Sequence, residues 1–256
     1  MWFMLEYRCL RRLPSDWATG RSTGILVMKV EIHSHTQEFS PCSSMPLKEL
    51  VGAAEMCGYD ALFITDHGKI WTPREIADAQ AMCDRMRIFP GIEITLQGGY
   101  DVLVLGAQDE AYEKMDTPDE VFAKACADDC LTVLAHPFRW HDTLPPFCSL
   151  SDAVEVYTCN HPEPDKAARA QTYADEFNMA PVHSGDSHGL NFLNKFWLET
   201  ESDFESAQDF RRLIVSGQYQ NRLRETDSEL PPTYKAATLD ELSESDMAAL
   251  NVQPTA

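Results

Sequence analysis

Short apolar segments alternate with amphipathic segments along most of this chain, and this alternation constrains its fold more than any other feature. The segments ALFITDH and LTVLAHP are almost continuously apolar, as strands buried on both faces of a sheet are. Segments such as PLKELVGAAEMCG and EPDKAARAQTYADEFN instead have the spacing of helices with one buried face. A repeated strand-then-helix order predicts an α/β fold with a parallel sheet.

The predicted elements fill the middle of the chain and leave both ends without pattern. Strands are predicted over 29–35, 61–67, 87–95, 100–107, 131–137, 152–158, 180–188 and 195–200. Helices are predicted over 46–58, 72–86, 117–130, 163–178 and 206–218. About seven strands separated by helices can close into a barrel.

The ends are expected to lie outside the folded domain. Residues 1–28 lack apolar periodicity and carry several arginines, so we expect a disordered extension before a single domain over 29–224. Residues 225–256 are acidic, contain two adjacent prolines and have few bulky apolar side chains. That composition is typical of a mobile tail.

Composition limits the partners that this chain can have. With 41 acidic and 21 basic residues, the formal net charge is −20, which repels nucleic acid and anionic membranes. No apolar run approaches the roughly 18 to 20 residues of a membrane span, and no secretory signal is visible. Eight cysteines without a CxxC pair do not predict a disulfide framework. We therefore expect a cytoplasmic protein without nucleic-acid or membrane partners, and the sequence does not indicate its oligomeric state.

Imidazoles and carboxylates recur at or near the carboxyl ends of the apolar segments. They are His33, His35, Asp66, His67, Glu93, His136, Asp186 and His188. In an α/β barrel these ends meet on one face, where active sites are built. Buried carboxylates without partners are costly, and imidazole nitrogen with carboxylate oxygen is a ligand set of zinc, manganese and iron. The i, i+2 spacing of the two histidines in HSH places both on the same side of a strand.

The motifs HSH, TDH, GIE, AHP and GDSH, in that order, resemble those of the polymerase and histidinol phosphatase (PHP) family of metal-dependent phosphoesterases. The resemblance extends over about residues 29–223. It implies a distorted (β/α)7 TIM-like barrel that holds two or three divalent ions of Zn, Mn or Fe.

The resemblance also implies how the ligands are shared among the ions. One ion would be held by His33, His35, Glu93 and Asp186. Glu93 would bridge to a second ion bound by His136, and a third would be held by His67 and His188. Asp66 would either ligate an ion or orient a neighbouring ligand.

Two places depart from the family pattern. Cys42 stands where many members have Asp, and a thiolate there could bind zinc. After the AVEVY strand, where members often have Asn or a metal-binding His, the chain has Thr158, Cys159, Asn160 and His161. Any of these four could take that role.

These residues predict an enzyme that hydrolyses a small phosphate monoester, such as a nucleotide, histidinol phosphate or a sugar-like phosphate. A hydroxide that bridges two metal ions would be the nucleophile. Arg139 follows AHP closely and could clamp a phosphate with its planar fork. His67, Asp186 or His188 could protonate the leaving group. Two alternatives stay open: a phosphodiesterase or exonuclease acting on nucleic-acid ends, and a non-catalytic metal-binding regulatory module.

Overall fold

The structure, a computed structural model, describes residues 28–160 and 162–224. Its strands are β1 (Met28–Glu31), β2 (Ala61–Ile64), β3 (Arg87–Leu96), β4 (Tyr100–Leu105), β5 (Leu131–Ala135), β6 (Ala153–Tyr157), β7 (Ala180–His183), β8 (Phe196–Thr200) and β9 (Tyr219–Leu223). Its α-helices are α1 (Leu47–Met56), α2 (Pro73–Gln80), α3 (Pro118–Ala127), α4 (Pro164–Phe177) and α5 (Ala207–Val215). The predicted amino-terminal extension, except Met28, and the predicted acidic tail lie outside the described residues, as does His161.

All nine strands belong to one sheet, in the order β7-β6-β5-β4-β3-β2-β1-β8-β9. Neighbouring strands are parallel from β1 to β3 and from β5 to β7, but β4 is antiparallel to both of its neighbours and β8 is antiparallel to β1 and β9. The fully parallel sheet that the sequence predicted is therefore wrong at β4 and β8. β4 follows β3 through a tight turn at Gly98 and Gly99, and a hairpin connection can join only antiparallel strands.

The two ends of the sheet meet, which makes it a nearly closed barrel. Tyr219 Oη and Asn221 Nδ2 in β9 both donate to the carbonyl oxygen of Pro181 in β7, each at 2.7 Å. The backbone N–H of His183 donates to Asn221 Oδ1 at 2.9 Å. β7 and β9 are thus joined through side chains, while the chain beyond β7 pairs in parallel with the chain beyond β1 at Ser187 and Ser34.

The predicted helix over 72–86 is shorter in the structure. It begins with a capping box in which Thr72 and Glu75 bond each other's backbone N–H, an arrangement that favours helix initiation. It ends at Gln80, because the side chain of Gln80 bonds Met86 O and the N–H of Ile88. These bonds fold the chain back into β3.

Apolar side chains fill the barrel interior and leave the carboxyl ends of the strands to polar residues. Phe210 of α5 lies 5.0 Å from the ring of Phe63 in β2, and Phe204 lies 5.0 Å from Phe210. Burial of such side chains contributes about 1.5–3 kcal/mol each. Helices α1 and α2 pack outside β2 around Leu50, and the rigid core fixes the positions at which the strands end.

The described ranges contain neither a helix that could span a membrane nor a disulfide bond. No helix there combines the length and apolarity that membrane crossing requires. None of the seven cysteines in the same ranges forms a disulfide.

Candidate metal centre

The strands that share the direction of β1 bring the predicted site residues to one rim. His33 and His35 follow β1, His67 follows β2, and Glu93 lies within the long strand β3. His136 directly follows β5, while two further site residues, Asp186 and His188, lie in the loop after β7. The isolated bridges Ser34–Ser187 and His67–Glu93 join these loops to each other.

Glu93 lies at the centre of the cluster. Its Oε2 is 3.2 Å from His33 Nε2, 3.2 Å from His35 Nε2 and 3.0 Å from His67 Nδ1. Its Oε1 is 3.0 Å from His136 Nε2. One buried carboxylate therefore contacts four imidazoles from three strands, which is the spatial relation that the sequence proposal required.

Asp186 occupies the other side of the same cluster. Its Oδ1 is 3.4 Å from Nε2 of both His33 and His35, and 3.3 Å from His188 Nδ1. The sequence placed Asp186 and His188 on a strand, but β7 ends at His183, and Asp186 has a left-handed backbone with φ 46°. A loop, and not strand alternation, turns these two side chains toward the centre.

Three groups of side chains have ligand atoms close enough to share a cation. The groups are His33, His35 and Asp186; His33, Glu93 and His136; and His35, His67 and His188. Two atoms among them, His35 Nε2 and Asp186 Oδ1, are buried and lie 3.4 Å apart, yet neither makes a well-aligned hydrogen bond within the described part of the chain. Such atoms are costly unless something binds them, and the nitrogen and oxygen donors fit zinc, manganese or iron.

The carboxylates and imidazoles shift each other's pKa values strongly. Burial raises the pKa of Glu93, but His33 and His136 outweigh it and hold that pKa well below its usual range. Burial lowers the pKa of His136, yet Glu93 and Asp186 raise it to about 9. The carboxylates and these imidazoles thus stabilise each other's charged forms. Divalent cations bind neutral imidazole, so their binding would release protons from these histidines.

A further buried carboxylate, Glu155 in β6, supports two ligands at once. Its Oε1 lies 2.8 Å from His33 Nδ1, and its Oε2 accepts the backbone N–H of His136 at 2.7 Å. Ser184 Oγ also donates to Oε1, at 2.5 Å. An acceptor at Nδ1 fixes the ring so that Nε2 points toward the cluster, and the bond to His136 holds a backbone with φ 25°.

Glu155 belongs to none of the five sequence motifs. It lies within the apolar strand AVEVY, and a buried glutamate needs a partner. That signal, which identified Glu93, applies equally to Glu155.

Glu31 joins β1 to the loop that carries Asp186. Its Oε1 accepts the backbone N–H groups of His33 and Gly185, at 3.1 and 2.9 Å. A Cβ on Gly185 would lie 2.4 Å from Glu31 Oε2 and 2.2 Å from Ser187 Oγ. Only glycine fits at this contact, which keeps the two ligand-bearing segments side by side.

Asp66 lies outside the three groups. Oδ1 accepts hydrogen bonds from the N–H of Thr36 and from Ser40 Oγ, at 2.7 and 2.6 Å. Oδ2 accepts from Thr36 Oγ1 and Trp71 Nε1, at 2.7 and 2.8 Å. Because four protein donors already bind this carboxylate, Asp66 is better suited to orient a neighbouring ligand than to bind an ion. Ser40 links it to such a ligand, since Ser40 Oγ also lies 3.3 Å from His35 Nδ1.

The residues at the two departures from the family pattern behave differently. Partial burial, with the charges of Glu93 and Asp186, raises the pKa of the exposed Cys42 thiol, and Cys42 belongs to none of the three groups. Asn160 Nδ2 donates to Asp186 Oδ2 at 2.6 Å. Cys159 Sγ instead faces Phe192 O at 3.1 Å, so Asn160 is the member of TCN that contacts the cluster.

Arg139 reaches the cluster from the loop after β5. Its Nη1 lies 3.6 Å from Asp186 Oδ2, and its guanidinium packs against the ring of Trp140, 5.0 Å from the centroid. Lys69, a cation that follows the TDH motif, pairs instead with Glu113 at 3.1 Å. Arg139 is thus the better placed of these two cations to meet a phosphate.

The cluster histidines differ in their access to solvent. The side chain of His67 is 39% exposed, that of His188 is 12% exposed, and His33 and His35 are fully buried. His183 is buried between Tyr157 and β9 and contributes no atom to the three groups.

The sequence of this chain matches a known protein family. The sequence model described as PHP domain matches residues 31–178, more than half of the chain. No curated protein matches the chain.

Several solved structures have a similar fold at low identity. A two-domain protein from Bacteroides vulgatus that contains a predicted PHP-like metal-dependent phosphoesterase is 15% identical, with a TM-score of 0.62 over 81% of this chain and 70% of its own. PsfC from Pseudomonas syringae is 17% identical, with a TM-score of 0.57 over 77% and 92%. An amidohydrolase from Chromobacterium violaceum, solved with sulfate and no metal, is 12% identical, with a TM-score of 0.52 over 78% and 99%.

Proposed function

Because the chain belongs to the PHP domain family, whose general chemistry is metal-dependent phosphoester hydrolysis, we propose that it releases phosphate from a small phosphate monoester. The observation that carries this proposal is the contact of one carboxylate, Glu93, with four imidazole nitrogens at 3.0–3.2 Å. Two or three ions of zinc, manganese or iron would be held by the three groups defined above. When bound, such ions lower the pKa of water and neutralise charge on phosphoryl oxygens.

The side chains around the ions would bind and orient the ester. Arg139 supplies a planar, permanently charged fork that can hold two phosphoryl oxygens. Its charge beside Asp186 would stabilise the negative charge that develops during the reaction.

If the group of His35, His67 and His188 holds no ion, protonation of the leaving alkoxide would fall to an imidazole. His67 is the most exposed of the cluster histidines considered above, so it is the first candidate. His188, which shares that group, and Asp186, 3.3 Å from His188, are the alternatives. Imidazole suits this task because its ordinary pKa lies near neutrality.

The acidic surface supports a small substrate over a polymer. A net charge of −20 repels the phosphates of a nucleic acid, while a single ester needs only the local positive charge of the site. Nucleic acid and membranes are therefore not proposed as partners, and the cytoplasm is proposed as the location.

A panel of phosphorylated metabolites tests the proposal. The protein, loaded with Mn²⁺ or Zn²⁺, should release inorganic phosphate from at least one monoester. An oligonucleotide in the same panel tests the diesterase alternative. Folded, metal-loaded protein that releases nothing would favour a non-catalytic module.

A variant pair ties the activity to the cluster. His33→Ala removes a nitrogen shared by two of the three groups and should lower kcat/KM at least a hundredfold. His183→Asn changes a buried histidine outside the groups and serves as the control. Unaltered phosphate release in His33→Ala would contradict the site assignment.

A further inference from the structure

Trp140 presents its indole to solvent beside the metal centre. Its relative exposure is 71%, against 46% for Met82 and 43% for Leu223, the other exposed large apolar residues of the described ranges. Phe138, two residues before Trp140, is buried, so the exposed indole follows closely on a residue that is fixed in the core. A single exposed apolar side chain needs no functional explanation by itself.

What distinguishes Trp140 is its contact with Arg139. The guanidinium carbon lies 5.0 Å from the centroid of the Trp140 ring, while Nη1 of the same side chain lies 3.6 Å from Asp186 Oδ2. Arginine can stack its face on an aromatic ring and still donate hydrogen bonds from its edge. One guanidinium therefore connects the exposed indole to the ligand cluster.

We propose that Trp140 is the leaving-group subsite and that it selects phosphate monoesters whose alcohol part carries a planar ring. This inference rests on the proposed function. With the phosphoryl group between the cluster and the edge of Arg139, the alcohol part must extend away from the buried carboxylates. The exposed indole that Arg139 contacts is a surface available to it there.

The chemistry of an indole face explains the selection. An aromatic or heteroaromatic ring stacks on tryptophan with a favourable free energy, whereas a polyol gains little from the same surface. The ring could be a nucleobase or an imidazole, since both are planar and both occur in phosphate monoesters. The subsite thus favours these two classes over esters of simple sugars.

Matched ester pairs test the subsite. Adenosine 5′-phosphate and ribose 5-phosphate differ only in the base, and histidinol phosphate is compared with glycerol 3-phosphate for the imidazole. Trp140→Ala should lower kcat/KM for the ring-bearing member about tenfold more than for its ring-free counterpart. Trp140→Phe should restore part of the difference, because it keeps an aromatic face.

Two results of this comparison decide the outcome. Equal losses for both members of both pairs would overturn the subsite, because the indole would then only support Arg139. A selective loss in one pair supports it and identifies the source of the ring. Met82→Ala, on the loop after α2 at the opposite end of the strands, controls for the removal of an exposed apolar side chain.

A binding measurement separates this inference from the proposed function. Equilibrium dialysis of labelled adenosine against the metal-loaded protein requires no catalysis, so it gives a result even if no ester is hydrolysed. Binding that weakens about tenfold in Trp140→Ala, but not in Met82→Ala, supports the subsite. The same dialysis with labelled histidinol covers the imidazole class. Failure of both ligands to bind, or equal binding of each ligand to both variants, overturns the subsite.

Discussion

Two buried glutamates perform different tasks at the metal centre. Glu93 faces the imidazole nitrogens that can hold ions, while Glu155 lies behind them and contacts His33 Nδ1 and the backbone of His136. The first can donate electrons to a cation directly. The second acts through His33 and His136, so its effect should be seen in how well the ligands are positioned.

Glu155→Gln should weaken metal binding without removing a ligand. The amide is a poorer acceptor for His33 Nδ1–H than the carboxylate, and loss of such a partner typically lowers metal affinity 10- to 100-fold. Competition with a chelating dye measures the change. Glu199→Gln in β8, whose carboxylate pairs with Arg222 away from the cluster, is the control, and equal affinities in both variants would contradict the positioning role.

Asp66→Asn separates the two roles that the sequence left open for Asp66. An amide cannot accept hydrogen bonds from all four donors, and Trp71 Nε1–H and the N–H of Thr36 cannot reverse their direction. We expect the free energy of unfolding in urea to fall by about 1–3 kcal/mol with the number of bound ions unchanged. Loss of one ion per chain would instead identify Asp66 as a ligand.

The residues of the metal centre could largely be predicted because each ends or interrupts an apolar segment. His33, His136 and Glu93 are conspicuous for that reason. Glu155 interrupts the apolar segment AVEVY in the same way, but it was missed because it lies in none of the five motifs. Whether Asp66 faces an ion or four donors depends on Thr36, Ser40 and Trp71, whose contacts with it no sequence pattern reveals.

At the scale of elements, closure of the barrel depends on β9. Asn221 takes part in two bonds to β7, one to Pro181 O and one from the N–H of His183. Its side-chain amide thus links β9 to β7, whereas backbone hydrogen bonds link the other neighbouring strands of the sheet. The closure keeps β7, and with it the loop that carries Asp186, next to β1.

Asn221→Ala should therefore destabilise the barrel more than its surface position suggests. The N–H of His183 would lose its acceptor and Pro181 O would lose one of its two donors, at about 1–3 kcal/mol in total. Urea unfolding measures this loss. Gln220→Ala, the adjacent position on the same strand, is the control, and similar stabilities of the two variants would show that β9 is not needed for closure.

Strands and helices with strong patterns could be predicted, and the elements that differ lack such patterns. The segment YQNRL of β9 has no apolar run, because its polar side chains make the contacts with β7. The reversed direction of β4 depends on the turn at Gly98 and Gly99, and strand composition does not report direction. The antiparallel pairing of β8 with β1 likewise depends on tertiary packing, which strand composition does not report.

At the scale of the whole molecule, stability should depend on pH through a group outside the metal centre. Burial lowers the pKa of His183 from 6.5 to about 4. The unfolded chain therefore binds this proton at a higher pH than the folded one does. The contribution of neutral His183 is complete above pH 6.5 and is lost as the pH falls toward 4.

His183→Asn isolates that contribution. The asparagine amide can still donate to Arg222 O, as His183 Nδ1 does at 3.1 Å, but it does not titrate. We expect the unfolding free energy of the wild type to fall more steeply between pH 6.5 and 4, by up to roughly 3 kcal/mol. Parallel curves for the two proteins would show that His183 does not carry the effect.

The proposed function requires more than one cation at the rim where the separate strands end. The direct measurement is the number of ions per chain, determined by elemental analysis after chelation and reloading with Mn²⁺ or Zn²⁺. We predict two or three ions for the wild type and fewer for Glu93→Gln, whose carboxylate contacts four imidazoles. A folded wild-type chain that retains one ion or none would contradict the account.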